Sequence, residues 1–259
     1  NENTLLSQNK KRLFEKQKKE YSLRSLNSIC INIKNAQKKM SNIKFFLKII
    51  DDNSKPSVIK LQKKIATQNS ILFEISNLDI NKYKNKMKFS NNKRMLAHNS
   101  HIYQSKEFAL NSNYDLIYFV EDDYLHHHDA IEEMIFSYEK FSTIYKKDII
   151  MCPADYPFLY NKFEQTNILA GHKKHWRRVN ESLCTYLISH NILKKNWKTY
   201  EKMFLNNFDP YEKPLHSLYK KTQCFSPIPS LSLHMTNVNS AYGLSPMVDW
   251  LDVWKKNKY

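Results

Sequence analysis

Short apolar runs alternate with stretches of helical spacing along the chain. Residues 1 to about 27 are polar and basic, with Leu5, Leu6, Leu13, Phe14, Tyr21 and Leu26 interspersed, the pattern of a basic helix with a weak apolar stripe. SICINI (28–33) reads as a strand, NAQKKMSN as a short helix, and IKFFLKII (43–50) as a second strand closed by Asp51, Asp52, Asn53 and Ser54. Pro56 suits a first helical turn and predicts a helix through about Gln68. SILFEIS (70–76) is a third strand, 77–90 a polar loop, and 91–111 a helix with Met95, Ile102 and Phe108 on its apolar side. DLIYFV (115–120) is a fourth strand, AIEEMIFSYEKFSTIY a helix and DIIMC (148–152) a fifth strand. Beyond that the pattern is less regular. It holds a long loop over 153–180, a strand at 182–189, a helix over KKNWKTYEKMFLNN, and a C-terminal helix with Trp250 and Trp254 at i, i+4.

Strands alternating with helices predict an α/β fold with a mostly parallel sheet flanked by helices. In such sheets ligands bind at the carboxyl ends of strands. Two predicted strands end there in acids, one at Asp51-Asp52 and one at Glu121-Asp122-Asp123.

Composition narrows the chemistry. The chain has 259 residues and only two glycines, Gly171 and Gly243, which excludes a P-loop and a Rossmann G-x-G-x-x-G. A nucleotide would need another counter-charge. Net charge is +16 and suggests an acidic partner, but the bases are dispersed Lys with few Arg, and an A/T-rich genome accounts for part of the excess. Cys30, Cys152, Cys184 and Cys224 form no C-x-x-C and read as reduced thiols in a reducing, cytoplasmic compartment. No apolar run has the length of a membrane span. The chain opens on Asn1 rather than Met, as a trimmed fragment would, which leaves room upstream for an anchor or another domain.

Three adjacent carboxylates at a strand end raise one another's pKa unless a cation compensates. A hard divalent ion, Mn2+ or Mg2+, takes carboxylate oxygens and leaves positions for phosphate oxygens. A solvated turn whose acids cap the next helix reads the same way, with Asp129 in the capping position. The HHH run at 126–128 does not itself read as a metal cluster, because adjacent side chains point apart.

The order of strand, Asp51-Asp52-Asn53-Ser54, helix, strand, a helix carrying Ala97-His98-Asn99, and a strand ending in Glu121-Asp122-Asp123 resembles the GT-A glycosyltransferases of the family 2 type over roughly residues 28–125. His98 replaces the Arg of that family's Ala-Arg-Asn signature, and Glu121-Asp122-Asp123 fits its Asp-x-Asp motif as Glu-x-Asp. The resemblance implies a single domain over 28–259, with a nucleotide-binding half at 28–125 and an acceptor half at 126–259, behind the basic helix of 1–27. It implies that Asp51 or Asp52 accepts from the nucleotide base, that Glu121 and Asp122 contact the ribose or the metal's waters, and that Asp123 binds the metal. The family's catalytic base falls on Glu212, with Asp209 next and Asp155 and Glu181 after them, and its late strand-end histidine falls on His234. HKKHWRRVN (172–180) offers cations for a diphosphate or anionic acceptor, with Trp176 to stack on a sugar, and reads equally as a solvated basic loop. Tyr242 and Gly243 are placed near the acceptor.

The expected activity is metal-dependent transfer of a sugar from a nucleotide-diphosphate sugar to a hydroxyl of a glycan or other acceptor, with inversion, as in polysaccharide biosynthesis. The partners are the nucleotide sugar and the acceptor rather than nucleic acid, with peripheral contact to an anionic membrane through the basic N-terminal helix. The alternatives are a nucleotidyltransferase, which normally carries a Gly-rich basic loop, and a basic nucleic-acid-binding module, which calls for clustered Arg.

Overall fold

The structure is a computed structural model and describes residues 12–14, 16–87, 93–161, 163–205, 211–236, 238 and 240–259. Its first long element, α1 (Lys18–Lys39), is a single helix running through the segment expected to hold a strand. The strand expected at 28–33 is thereby corrected to helix. Ile29, Ile31 and Ile33 alternate as a strand would, yet Ile29, Ile33, Ala36 and Met40 recur every three or four residues. Those four are buried while Ile31 is only partly so, and the longer apolar face decides.

Next come β1 (Leu47–Asp51) and β2 (Phe73–Asn77), parallel and joined by α2 (Pro56–Gln68), which starts at the expected proline. The expected polar loop contains α3 (Ile80–Lys84), whose N-cap Asp79 accepts from the Lys82 amide at 3.0 Å. Two further helices, α4 (Lys93–Leu110) and α5 (Ala130–Tyr145), occupy their predicted segments.

The main sheet has six strands: β3 (Leu116–Phe119), β5 (Ile150–Met151), β6 (Ile168–Ala170), β7 (His175–Val179), β8 (Tyr186–Ser189) and β9 (Cys224–Ile228), in the order β3-β8-β5-β9-β7-β6. Only β5 and β9 pair in parallel, so the chain is mixed α/β as expected but the mostly parallel sheet is corrected to a mostly antiparallel one. The cause is β8, which inserts antiparallel between β3 and β5. Its residues are buried on both faces, and a short run that is apolar all round carries no signal of direction. A separate antiparallel pair joins β4 (Tyr124–His126) to β10 (Ser232–His234).

Alternate strand residues serve two cores. Met151, Leu187 and Phe225 pack with α1, α2 and α5 residues such as Ile33, Ile65 and Phe141. Ile150, Ile188 and Cys224 face the other way, toward Tyr103 and Leu193, which belong to α4 and α6 (His190–Lys195), and toward Phe204 and Leu218, which belong to α7 (Trp197–Leu205) and α8 (Lys213–Lys221). Helices thus cover both faces of the sheet. The helix expected over 194–207 is divided at Asn196, the C-cap of α6. The C-terminal α9 (Trp250–Lys256) docks Val253 and Trp254 on Leu125 and Leu233 of the β4–β10 pair, as its Trp spacing predicts. Among the described residues no helix is long and apolar enough to cross a membrane.

Candidate functional site

The three acids occupy the turn between β3 and β4, where the Tyr124 amide reaches back to the Glu121 carbonyl. Each meets a different environment. Asp122 points outward, its side chain 55% exposed, and pairs with Lys18 of α1 at 3.0 Å. Glu121 faces inward, its backbone N–H donating to Thr185 Oγ1 and its Oε2 accepting from the same hydroxyl, both at 3.1 Å. Desolvation, reinforced by the charge of Asp123, pushes the Glu121 carboxyl up to about 7.

Asp123 meets His234 because β10 lies antiparallel on β4, with His234 paired to Tyr124. His234 Nε2 stands 3.2 Å from Asp123 Oδ2, and the Thr236 hydroxyl donates to the same oxygen at 2.6 Å. The opposite ring nitrogen, Nδ1, donates to the Tyr242 carbonyl at 2.8 Å, which orients the imidazole with Nε2 toward Asp123. The Tyr124 ring stacks on His234 at 4.9 Å, nearly parallel. Burial opposes the charged imidazole, but Asp123 outweighs it and holds the His234 pKa above its ordinary value. The two residues expected to bind metal, 111 positions apart, therefore converge on one point. A carboxylate oxygen and an imidazole nitrogen are donor types that a divalent ion takes only when the nitrogen is unprotonated, and here the two are hydrogen-bonded to one another. Among the described residues no third His, Cys, Asp or Glu joins them in a larger metal-holding group.

Glu212 sits at the N-cap of α8, close enough that its charge raises the pKa values of Glu121 and Tyr242. Asp209 lies outside the described residues. Asp155 is engaged elsewhere: it is buried, paired with Arg177, and accepts from the Tyr160 hydroxyl at 2.5 Å. The HKKHWRRVN segment is corrected from a loop to include β7, and Trp176 is fully buried with its indole N–H donating to Glu133 at 3.0 Å. It cannot stack on a sugar.

At the end of β1 the Asp51 carboxylate closes the turn into α2, accepting from the Ser54 amide at 2.7 Å and from Gln62 Nε2 at 3.2 Å. Of the two candidates for the base contact, Asp52 is the more open; Asn53 donates to it at 3.3 Å from a left-handed turn position. His101 of α4 bonds the Ile50 carbonyl at 2.9 Å and feels the charge of Asp122, so both acid-ended strands border one region. The three consecutive histidines part: His126 bonds Tyr118 and Ser28, while His128 reaches Asn257.

Four contributors were not legible as site residues. Thr185 and Thr236 sit on segments that read only as strand or loop. Tyr211, whose ring meets His98 edge-on at 5.2 Å, lies near Glu121 only through tertiary folding. Lys106 is 2% exposed, with its ammonium 3.2 Å from the centre of the Phe119 ring and 4.8 Å from that of Tyr186. Burial lowers its pKa to about 7, against the charges of Cys184 and Glu121. A cation placed on a helix among apolar neighbours gives no periodic signal.

The sequence matches no protein-family model and no curated protein.

Proposed function

We propose that this chain is a metal-dependent glycosyltransferase of GT-A-like organisation that moves a sugar from a nucleotide-diphosphate donor to a hydroxyl acceptor with inversion. The observation that carries the reading is the convergence of Asp123 and His234, beside Glu121 and within electrostatic reach of Glu212. The antiparallel strands of the main sheet depart from the parallel sheet of that family; the parallel β1–α2–β2 unit and the acid-ended β3 are the parts that resemble it.

Asp123 and His234 would hold Mn2+ or Mg2+, which when bound neutralises the diphosphate as it leaves. Thr236 and the Tyr242 carbonyl hold the two ligands in place. Asp52 would accept from the base and Glu121 would meet the ribose. Glu212 takes the proton from the acceptor hydroxyl while that oxygen bonds to the anomeric carbon. The bond from that carbon to the diphosphate oxygen breaks on the opposite side, and its electron pair leaves with the nucleotide. The buried thiols of all four cysteines accord with a cytoplasmic setting.

The test is a thermal-shift titration with UDP and GDP, with and without Mn2+, on the wild type and Asp123→Ala. The expected result is nucleotide stabilisation that requires Mn2+ and vanishes in the variant while its circular dichroism is retained. Nucleotide binding retained by Asp123→Ala would remove the metal site from this turn. Stabilisation by oligonucleotides and by no nucleotide would make the chain a nucleic-acid-binding module.

A further inference from the structure

Eleven residues of α1, among them Tyr21, Arg24, Asn27 and Ile33, are buried in the fold, so this helix is part of the core and not a free basic anchor. The surface beside its first turn has a different character. The Phe14 ring packs tilted against Trp254 at 4.4 Å and lies 5.8 Å from Trp250, and Tyr259 Oη donates to Glu20 at 3.0 Å. These contacts bring the N-terminal segment and α9 into one face. From that face Met247 protrudes at 81% exposure and Leu251 at 42%. Leu251 and Lys255 follow at i and i+4 on α9 and are exposed, and exposed Lys258 lies just past the helix end, while Val253, Trp254 and Asn257 are buried. Lys16 and Lys19 are exposed on the adjoining segment. Of the nearby acids, Glu20 is engaged by Arg24 and Tyr259 and Asp252 by Lys256, while exposed Asp249, the N-cap of α9, accepts from the Asp252 amide and is the one carboxylate set between Met247 and Leu251.

We propose that this face docks on an anionic lipid membrane, with Met247 and Leu251 entering the headgroup boundary and Lys16, Lys19, Lys255 and Lys258 ringing them. Charge complementarity favours this occupant. Lysine is a flexible point charge suited to a diffuse layer of lipid phosphates, and its long stem lies along apolar surface while the ammonium stays in water. One exposed apolar side chain on α9 and one on the turn that precedes it suit a bilayer, which needs no complementary shape. The inference stands on residues other than those of the proposed active site. It has a consequence for that site, however: α9 packs on the β4–β10 pair that carries His234 and adjoins Asp123, so docking would hold the candidate site at a fixed distance from the lipid surface.

The experiment is co-sedimentation of the full chain with vesicles of pure phosphatidylcholine and with vesicles containing roughly one-third phosphatidylglycerol. Binding to the anionic vesicles alone, weakened by salt, is expected. K255E/K258E should lower the partition at least ~tenfold, since each lysine near such a surface contributes about fivefold. M247N/L251Q should lower it roughly tenfold while keeping all charges; Asn tolerates the left-handed backbone of Met247. K60E/K63E, on the exposed side of α2, is the control for bulk charge and should bind as the wild type does. No binding to anionic vesicles, or an equal loss in the control, overturns the proposal. Undiminished binding in M247N/L251Q does so too, and would point to a soluble acidic partner held by lysines alone.

Discussion

His126 should make the fold acid-sensitive by an amount that can be calculated. It is fully buried on β4, accepting from the Tyr118 hydroxyl through Nε2 at 2.6 Å, with Ser28 Oγ 3.3 Å from Nδ1. Burial, assisted by His127, lowers its pKa from 6.5 to about 3. Between those values the unfolded chain binds a proton that the folded one refuses. The His126 contribution is therefore complete above pH 6.5 and is lost as pH falls, at ~1.4 kcal/mol per pH unit. From pH 6.5 to 4.5 the loss is about 2.3 kcal/mol, a sizeable part of a typical stability of roughly 5–15 kcal/mol. Glu121 works in the opposite sense. Its folded pKa of about 7 lies above the unfolded 4.5, so its contribution is present below 4.5 and fades as pH rises toward 7. The wild-type curve alone is thus flattened, and the diagnostic quantity is the difference from His126→Gln, which removes one titration and leaves the other. At pH 7 the variant should be less stable by about 1–3 kcal/mol, because an amide fills the imidazole's place imperfectly. Below pH 6.5 that gap should close by ~1.4 kcal/mol for each unit of acidification and reverse at about pH 4.5–6, the lower value for the larger initial gap. Urea unfolding followed by circular dichroism at half-unit intervals measures both curves. A gap that stays constant between pH 4.5 and 6.5 would refute the argument.

Other predictions concern groups held at a cost or locked by neighbours. Lys106, with a folded pKa of about 7 against 10.5, loses stability as pH falls from 10.5 toward 7; Lys106→Met should therefore gain about 2–4 kcal/mol at pH 7 and progressively less in alkali, read by thermal melts at both pH values. Glu133 accepts from the Trp176 indole, the Lys173 amide at 2.7 Å and the Ser137 hydroxyl at 2.9 Å, so Glu133→Ala should cost at least ~3 kcal/mol in urea unfolding, with a smaller loss in Glu133→Gln. A Cβ on Gly171 would lie 2.5 Å from Ser137 Oγ and from the Trp176 ring, so Gly171→Ala should cost about 1–3 kcal/mol and perturb Trp fluorescence.

What the sequence determined by itself is local. Proline at position 56 and the apolar spacing of 130–145 set α2 and α5, because helical period and first-turn chemistry act within a few residues. The acids after β1 and β3 were legible for the same reason: a strand that stops in carboxylates marks its own end. Ile29, Ile31 and Ile33 show the limit, since their alternation fits a strand until the partners that bury α1 are known. Only the tertiary structure decided that β8 enters between β3 and β5, which made the sheet mostly antiparallel, and that Trp176 is core. Only it brought His234 and Thr236 to Asp123, and Thr185 to Glu121, across more than sixty residues of chain. Strand direction and long-range contact follow from how buried faces close on one another, and the spacing of residues along one segment carries no record of which distant segment will cover it.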